Sequence, residues 1–257
     1  MRAAHQNEGI FFMSKSSRIV ALMIGRGGSS LKGKNVLPVH DVPLMVWAAS
    51  AAHRSAHIGR YYVSSDDDEI LETGRKAGYT SIRRPDELAS ATAQSSDAVR
   101  HAMKLIEAEG DVDIVVVQHA NVGTITERII DDCIEGLLQD PSLSSVVPCH
   151  DMSEYHPYRG KTVLEDGTLS PFVPGSGNAS ANRQELPPCL FFDHSIWALR
   201  ASAIWDKDGQ GPWPVMGQRI KPYITEGCFD VHTLEDVAKT EAWITANGVA
   251  KPVYPLA

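Results

Sequence analysis

Residues 19–35 read I-V-A-L-M-I-G-R-G-G-S-S-L-K-G-K-N. The first six are apolar without alternation, the pattern of a strand buried on both faces of a parallel sheet. The run is far short of the roughly 18–20 residues a membrane-spanning helix needs. Directly after it comes a loop in which Gly25, Gly27, Gly28 and Ser29 are interleaved with Arg26, Lys32 and Lys34. Glycines let backbone N–H groups approach a phosphate chain closely, and the basic side chains can neutralise it. The loop is not G-x-G-x-x-G and lacks the G-K-[ST] ending of a Walker loop. A solvated flexible turn is the plain alternative.

Strand and helix patterns alternate outward from this stretch. A helical segment covers residues 43–54, and Y-Y-V-S-S (61–65) reads as a second strand. Asp66, Asp67 and Asp68 then mark a helix start, because carboxylates suit the first turn, with Asp66 expected to cap it rather than to bind metal; Gly78 ends that helix after Ala77. Residues 95–109 read as a helix, I-V-V-V (114–117) as a strand, and 124–138 as a helix with Thr124 as N-cap and Glu127 completing a capping box. S-S-V-V-P (144–148) is a further strand; later the chain returns to C-L-F-F-D (189–193) and a last helix at 233–246. Such alternation predicts right-handed βαβ units in an α/β fold, a three-layer α/β/α sandwich with a Rossmann-like, mainly parallel sheet.

Residues 1–17 have no sustained periodicity and are expected to be a disordered extension, leaving 18–257 as one domain. Between 150 and 188 the chain turns rich in Pro, Gly and polar residues, as expected for an inserted lid or dimerisation segment, with a hairpin turn at Glu165-Asp166-Gly167. With 43% hydrophobic and 22% charged residues over 257 positions, global disorder is excluded. The net charge of −8 argues against a nucleic-acid or anionic-membrane partner while leaving room for a local basic pocket. Cys133, Cys149, Cys189 and Cys228 show neither metal spacing nor a disulfide framework. Together these features predict a soluble, cytoplasmic protein.

The opening loop, R-G-G-S-x-x-x-x-K-N, resembles the signature of the CMP-sialic acid synthetases (N-acylneuraminate cytidylyltransferases) and their relatives for other sugar acids. The likeness recurs in order along the chain. V-S-S-D-D-D-E-I (63–70) is similar to the family's V-S-T-D-D-x-E-I, and R-P-D-E-L-A-S-A-T-A (84–93) to its R-P-x-E-L-A-x-D-x-A. V-V-V-Q-H (115–119) stands where the family has a strand ending in L-Q-P-T-S-P. N-R-Q-E-L-P (182–187) matches R-Q-x-L-P, and F-D-V-H-T-L-E-D (229–236) resembles D-I-D-T-x-E-D.

The resemblance implies transfer of a cytidylyl group from CTP, with Mg²⁺, to a 2-keto sugar acid in a homodimer. It assigns Arg26 and Lys34 to the triphosphate, with Gly25, Gly27, Gly28 and Ser29 as cradle and Asn35 and Ser90 as nucleotide contacts. Gln118, His119 and Asn121 fall at the sugar edge, and Asp230 matches the first of two metal-binding aspartates. Arg183 and Gln184 fit either sugar-carboxylate binding or an interface anchor. The chain departs from the pattern at Ala91, at Ala120 and at His232, which replaces the second metal aspartate and is a poor Mg²⁺ ligand. His232 is left to act through water, on a sugar hydroxyl, or as a structural substitute. Use of another nucleotide, or a non-catalytic nucleotide- or sugar-binding role, also fits these residues.

Overall fold

The computed structural model describes residues 15–28 and 31–256. Strand β1 (Ser16–Ile24) leads through the short hairpin of β2 (Pro38–Val39) and β3 (Val42–Pro43) into helix α1 (Leu44–Arg54). There follow β4 (Ile58–Ser65), α2 (Asp68–Lys76), β5 (Thr80–Arg83), α3 (Ser95–Glu109), β6 (Ile114–His119), α4 (Glu127–Gln139) and β7 (Ser145–Asp151). After a second hairpin, β8 (Lys161–Val163) and β9 (Leu169–Pro171), the chain returns as β10 (Leu190–Phe192) and β11 (Ile196–Arg200). It closes with α5 (Ala201–Ile204), β12 (Ile220–Ile224) and α6 (Leu234–Ala246).

The eight-stranded sheet runs β10-β7-β11-β6-β1-β4-β5, with β12 also paired to β7. Strands β6, β1, β4 and β5 are parallel, as the strand–helix alternation predicts. Side-chain alternation shows why both faces must be covered. Along β1, Ile19, Ala21 and Met23 enter one core cluster while Val20, Leu22 and Ile24 enter the other. Strand β6 divides in the same way, Ile114 and Val116 against Val115 and Val117. Successive strand residues point to opposite faces, so an unbroken apolar run requires an apolar layer on each side.

Four details differ from the sequence-based expectation. Strand β1 begins at Ser16, where Ser16 pairs with Ile58, so the ordered domain starts before residue 18; residues 1–14 lie outside the described residues. Asp67, not Asp66, caps α2, accepting hydrogen bonds from the amides of Glu69 and Ile70. Thr124 does not cap α4: that helix starts at Glu127 behind Thr126. Tertiary partners outcompete the local box, because the Thr124 hydroxyl accepts the Phe229 amide at 3.0 Å and Glu127 pairs with Arg54 at 3.0 Å. Finally, I-W-A-L-R is unread in the sequence, yet as β11 it lies antiparallel between β6 and β7 in the middle of the sheet. The expected hairpin does form, with Gly167 at φ +81° and the Asp166 carboxylate accepting from Thr168.

Candidate active site

The site begins with strand register. Ile24, the last residue of β1, pairs with Ser64 of β4 and with His119 of β6, so three parallel strands end level. The segments leaving them emerge side by side at the carboxyl edge, where ligands of open α/β sheets bind. The exit is tight. Gly25 donates to Ser64 O at 3.2 Å, and a Cβ on it would stand 2.8 Å from the Ala120 Cβ. A Cβ on Gly27 would meet Asp67 Oδ2 at 2.5 Å; instead the Gly27 amide donates to Asp66 Oδ1 at 3.1 Å. Asn35 is buried and donates through Nδ2 to the Arg26 carbonyl at 3.1 Å, which fixes the far end of the loop.

These anchors frame a cleft of about 200 Å³ lined on one side by Gly25, Arg26, Lys34 and Asn35, and on the other by Arg84, Leu88 and the start of α3. Three cationic side chains meet there, and among the described residues none of them forms an ion pair. Arg26 donates to the Ser90 carbonyl at 2.9 Å. Buried Arg84 donates to Ser64 O at 2.7 Å, and its pKa is pushed down to about 10, first by burial and then by Arg26 against the pull of Asp66. Burial and Arg26 also lower the Lys34 pKa, while Asp230 opposes them. Helix α3 contributes its N-terminus, whose N-cap Gln94 makes no side-chain capping bond. Its unpaired amides and partial positive charge suit an anion. Such a cluster of positive charge without an ion-pair partner suits a polyanion.

Asp230 faces these cations from a segment pinned across the ends of β6 and α4. Phe229 donates to Thr124, Val231 donates to Asn121 O at 3.0 Å, and Val122 bridges Asp230. Its two carboxylate oxygens are held separately, Oδ1 by the Asn121 side-chain amide and Oδ2 by His232 Nε2 at 3.1 Å. Among the described residues no group of three or more His, Cys, Asp or Glu is disposed to hold a metal. A Mg²⁺ carried with a nucleotide takes most of its ligands from phosphate and water, so one oriented carboxylate fits it and a closed cage is unnecessary.

Of the residues singled out in the sequence, Gly25, Arg26, Lys34, Asn35, His119 and Asn121 line the cleft. Ser29 lies outside the described residues. Ser90 takes part through its carbonyl rather than its hydroxyl, and Lys32 is exposed away from the lining. Gln118 is not at the sugar edge: it is fully buried, accepting from the Tyr79 hydroxyl at 2.7 Å and donating to Ala48 O at 2.7 Å. The side chain preceding the strand's last residue faces the helix layer, by the same alternation that builds the core. Arg183 and Gln184 sit on the insertion beside Asp151, Ser153 and Pro188, away from the cleft lining. Arg84 is the cleft residue that sequence reasoning left without a role, although it opens the quoted R-P-D-E-L-A stretch.

A family model described as cytidylyltransferase matches residues 20–168. The chain is 30% identical over 90 residues to the N-acylneuraminate cytidylyltransferase of Escherichia coli O18:K1:H7, which is 35% of this chain and 22% of that protein. It is 26% identical over 126 residues to the pseudaminic acid cytidylyltransferase of Campylobacter jejuni, 48% of this chain and 54% of that one. The chain thus spans between about a fifth and about half of these relatives' length. A solved structure of CMP:2-keto-3-deoxy-manno-octonic acid synthetase complexed with CTP superposes with a TM-score of 0.66 at 18% identity. It covers 90% of this chain and 100% of that one.

The assignment of Gln118 to the core has a direct check. Gln118→Leu removes both partners and strands the buried Tyr79 hydroxyl, so chemical denaturation should show a loss of about 1–3 kcal/mol. Ligand affinity at the cleft, measured by calorimetry, should stay unchanged within about twofold.

Proposed function

The chain belongs to the cytidylyltransferase family, and on that premise we propose that it couples CTP to a 2-keto sugar acid, releasing pyrophosphate and forming the CMP-sugar. The observation that carries this reading is the convergence of Arg26, Lys34, Arg84 and the α3 N-terminus on one cleft that also faces Asp230. A triphosphate brings the negative charge this cleft lacks. The anomeric hydroxyl oxygen of the sugar attacks the α-phosphorus, the bond from that phosphorus to the bridging oxygen breaks, pyrophosphate leaves, and the hydroxyl proton is released.

Little covalent work falls to the protein in such a transfer. Arg26, Lys34 and Arg84 bind and orient the triphosphate and stabilise charge as it shifts towards the leaving group. Asn35, Asp66 and the close-packed glycines hold the loop so that those cations need not reorganise. Asp230 would hold a Mg²⁺ brought with the nucleotide, its carboxylate set by Asn121 and His232. Bound there, the ion would neutralise phosphate charge and screen the carboxylate from the triphosphate.

The insertion supports a homodimer in this reading. Tyr155, Val163, Leu169 and Phe172 are each about two-thirds exposed on it, an apolar surface that a second copy would cover. Arg183 and Gln184 lie on the same segment and would be presented to the neighbouring sugar site. Light scattering at micromolar concentration should give twice the 28.0 kDa chain mass; a monomer there removes the dimer from the account.

Pyrophosphate release, followed with each nucleoside triphosphate against N-acetylneuraminate, pseudaminic acid and 2-keto-3-deoxy-manno-octonic acid, tests the reaction itself. Turnover is expected with CTP. Arg26→Ala and Lys34→Ala should each lower it by roughly 10²-fold or more, the common effect of removing a preorganised charge from the transferring group. Tight CTP binding with no release for any sugar acid would make the protein a binder instead.

A further inference from the structure

Beside the nucleotide cleft the carboxyl edge of the sheet carries three imidazoles in a row. His119 ends β6, His150 stands near the end of β7, and His194 lies two residues before the antiparallel strand β11 that runs between them. Because β11 runs the opposite way, its start falls at the finishing ends of both neighbours. The His119 and His194 rings are 5.9 Å apart, and the charges of His150 and Asp230 both act on His194. The row therefore runs sideways from the cleft, with His119 in its lining and Asp230 opposite.

Each member is held in a way that local folding does not require. His194 adopts φ +56°, a conformation costly for a residue with a Cβ. The turn is secured by buried Asp193, which accepts the Ser195 amide at 2.9 Å, the Ser195 hydroxyl at 2.6 Å and the Thr225 hydroxyl at 2.7 Å. Trp197 donates to His194 Nδ1 at 3.3 Å, and Trp213 packs edge-on with centroids 4.7 Å away. His119 stands edge-on to Trp197 at 4.7 Å. His150 rests on Gly227, where a Cβ would come within 3.5 Å of the ring. Nδ1 of both His119 and His150 is buried without a hydrogen-bond partner. Unspent buried polar atoms and a strained backbone at one spot are features of binding sites rather than of cores.

We propose that His119, His194 and His150 form the acceptor subsite of this enzyme, a row of imidazoles that receives the uncharged polar groups, hydroxyl or acylamido, of the sugar acid. The assignment rests on the transferase reading above. Burial holds the His119 pKa down to about 3 and lowers that of His194, so both rings are neutral at pH 7. With Nδ1 taken by Trp197, a neutral His194 keeps its Nε2–H to donate, while His119 Nδ1 has no partner; uncharged groups of this kind match hydroxyls and amides, whereas the sugar carboxylate calls for a cation. The tryptophan and phenylalanine faces behind the row, Trp197, Trp213 and Phe192, keep these rings from turning away.

Two substitutions test this with the full chain. His194→Asn keeps a residue that tolerates positive φ, and His150→Phe keeps a ring on Gly227; each removes an imidazole. With whichever of the three sugar acids turns over, KM for the sugar should rise about tenfold or more in each variant, the size expected for a lost substrate hydrogen bond. KM for CTP should stay within about twofold. Long-range ¹H–¹⁵N spectra of the histidine side chains should show the His119, His150 and His194 signals moving on addition of sugar acid. Unchanged sugar KM in both variants while the wild type turns over overturns the subsite and leaves the transferase standing. If the wild type releases no pyrophosphate at all, the transferase reading fails, and the subsite is upheld by sugar-induced imidazole shifts or overturned by their absence.

Discussion

The structure turns on an unbalanced charge. Arg26, Lys34 and Arg84 converge on a desolvated cleft with no ion-pair partner among the described residues, in a chain whose overall charge is −8. Like charges at close range in a partly dry site repel one another, and burial adds to the cost, as the lowered pKa of both Lys34 and Arg84 registers. Such an arrangement persists only where the surrounding fold over-determines it. The level ends of β1, β4 and β6 do this by bringing three loops together at one height.

Much of the local packing follows from holding that loop still. Gly25 and Gly27 are places where a Cβ would collide with Ala120 and Asp67, so the loop lies flat against its neighbours instead of standing off. Asp66 pins one amide of the loop and buried Asn35 one carbonyl. On the other wall, Thr124 abandons a helix cap to hold the Phe229 amide, and that contact steadies the segment carrying Asp230, whose charge acts on Lys34. The counter-charge is thus placed close enough to act on Lys34, yet its oxygens are already committed to Asn121 and His232.

The parallel half of the sheet was readable because its strands are unbroken apolar runs separated by amphipathic helices, a pattern few other folds produce. The antiparallel half was not. Strand β11 follows β10 after only three residues and pairs with strands distant in sequence, so its place at the centre is a tertiary fact. In the site, glycine and basic residues in one loop marked by their chemistry the edge of the sheet where the cationic cleft lies. Gln118 misled because its neighbour His119 does reach the cleft, and one residue of strand register reverses which layer a side chain enters. Arg84 stood out in the sequence only as the first residue of R-P-D-E-L-A, and His194 not at all; the burial of one and the positive φ of the other are tertiary facts.

Thermal unfolding of Arg84→Met, with and without CTP, tests the central claim most directly. Methionine preserves much of the packing volume and removes the buried charge. Ser64 O, which loses the guanidinium, still accepts from Gly25. At a CTP concentration of about 100 Kd the wild type should gain about 2.7 kcal/mol, or roughly 5–10 °C in Tm. The variant without ligand should unfold at the wild-type temperature or above it, and CTP at the same concentration should leave its Tm unmoved. A ligand-free variant of lower Tm that keeps the full CTP shift would show that Arg84 is structural and that its buried charge is not there for a triphosphate.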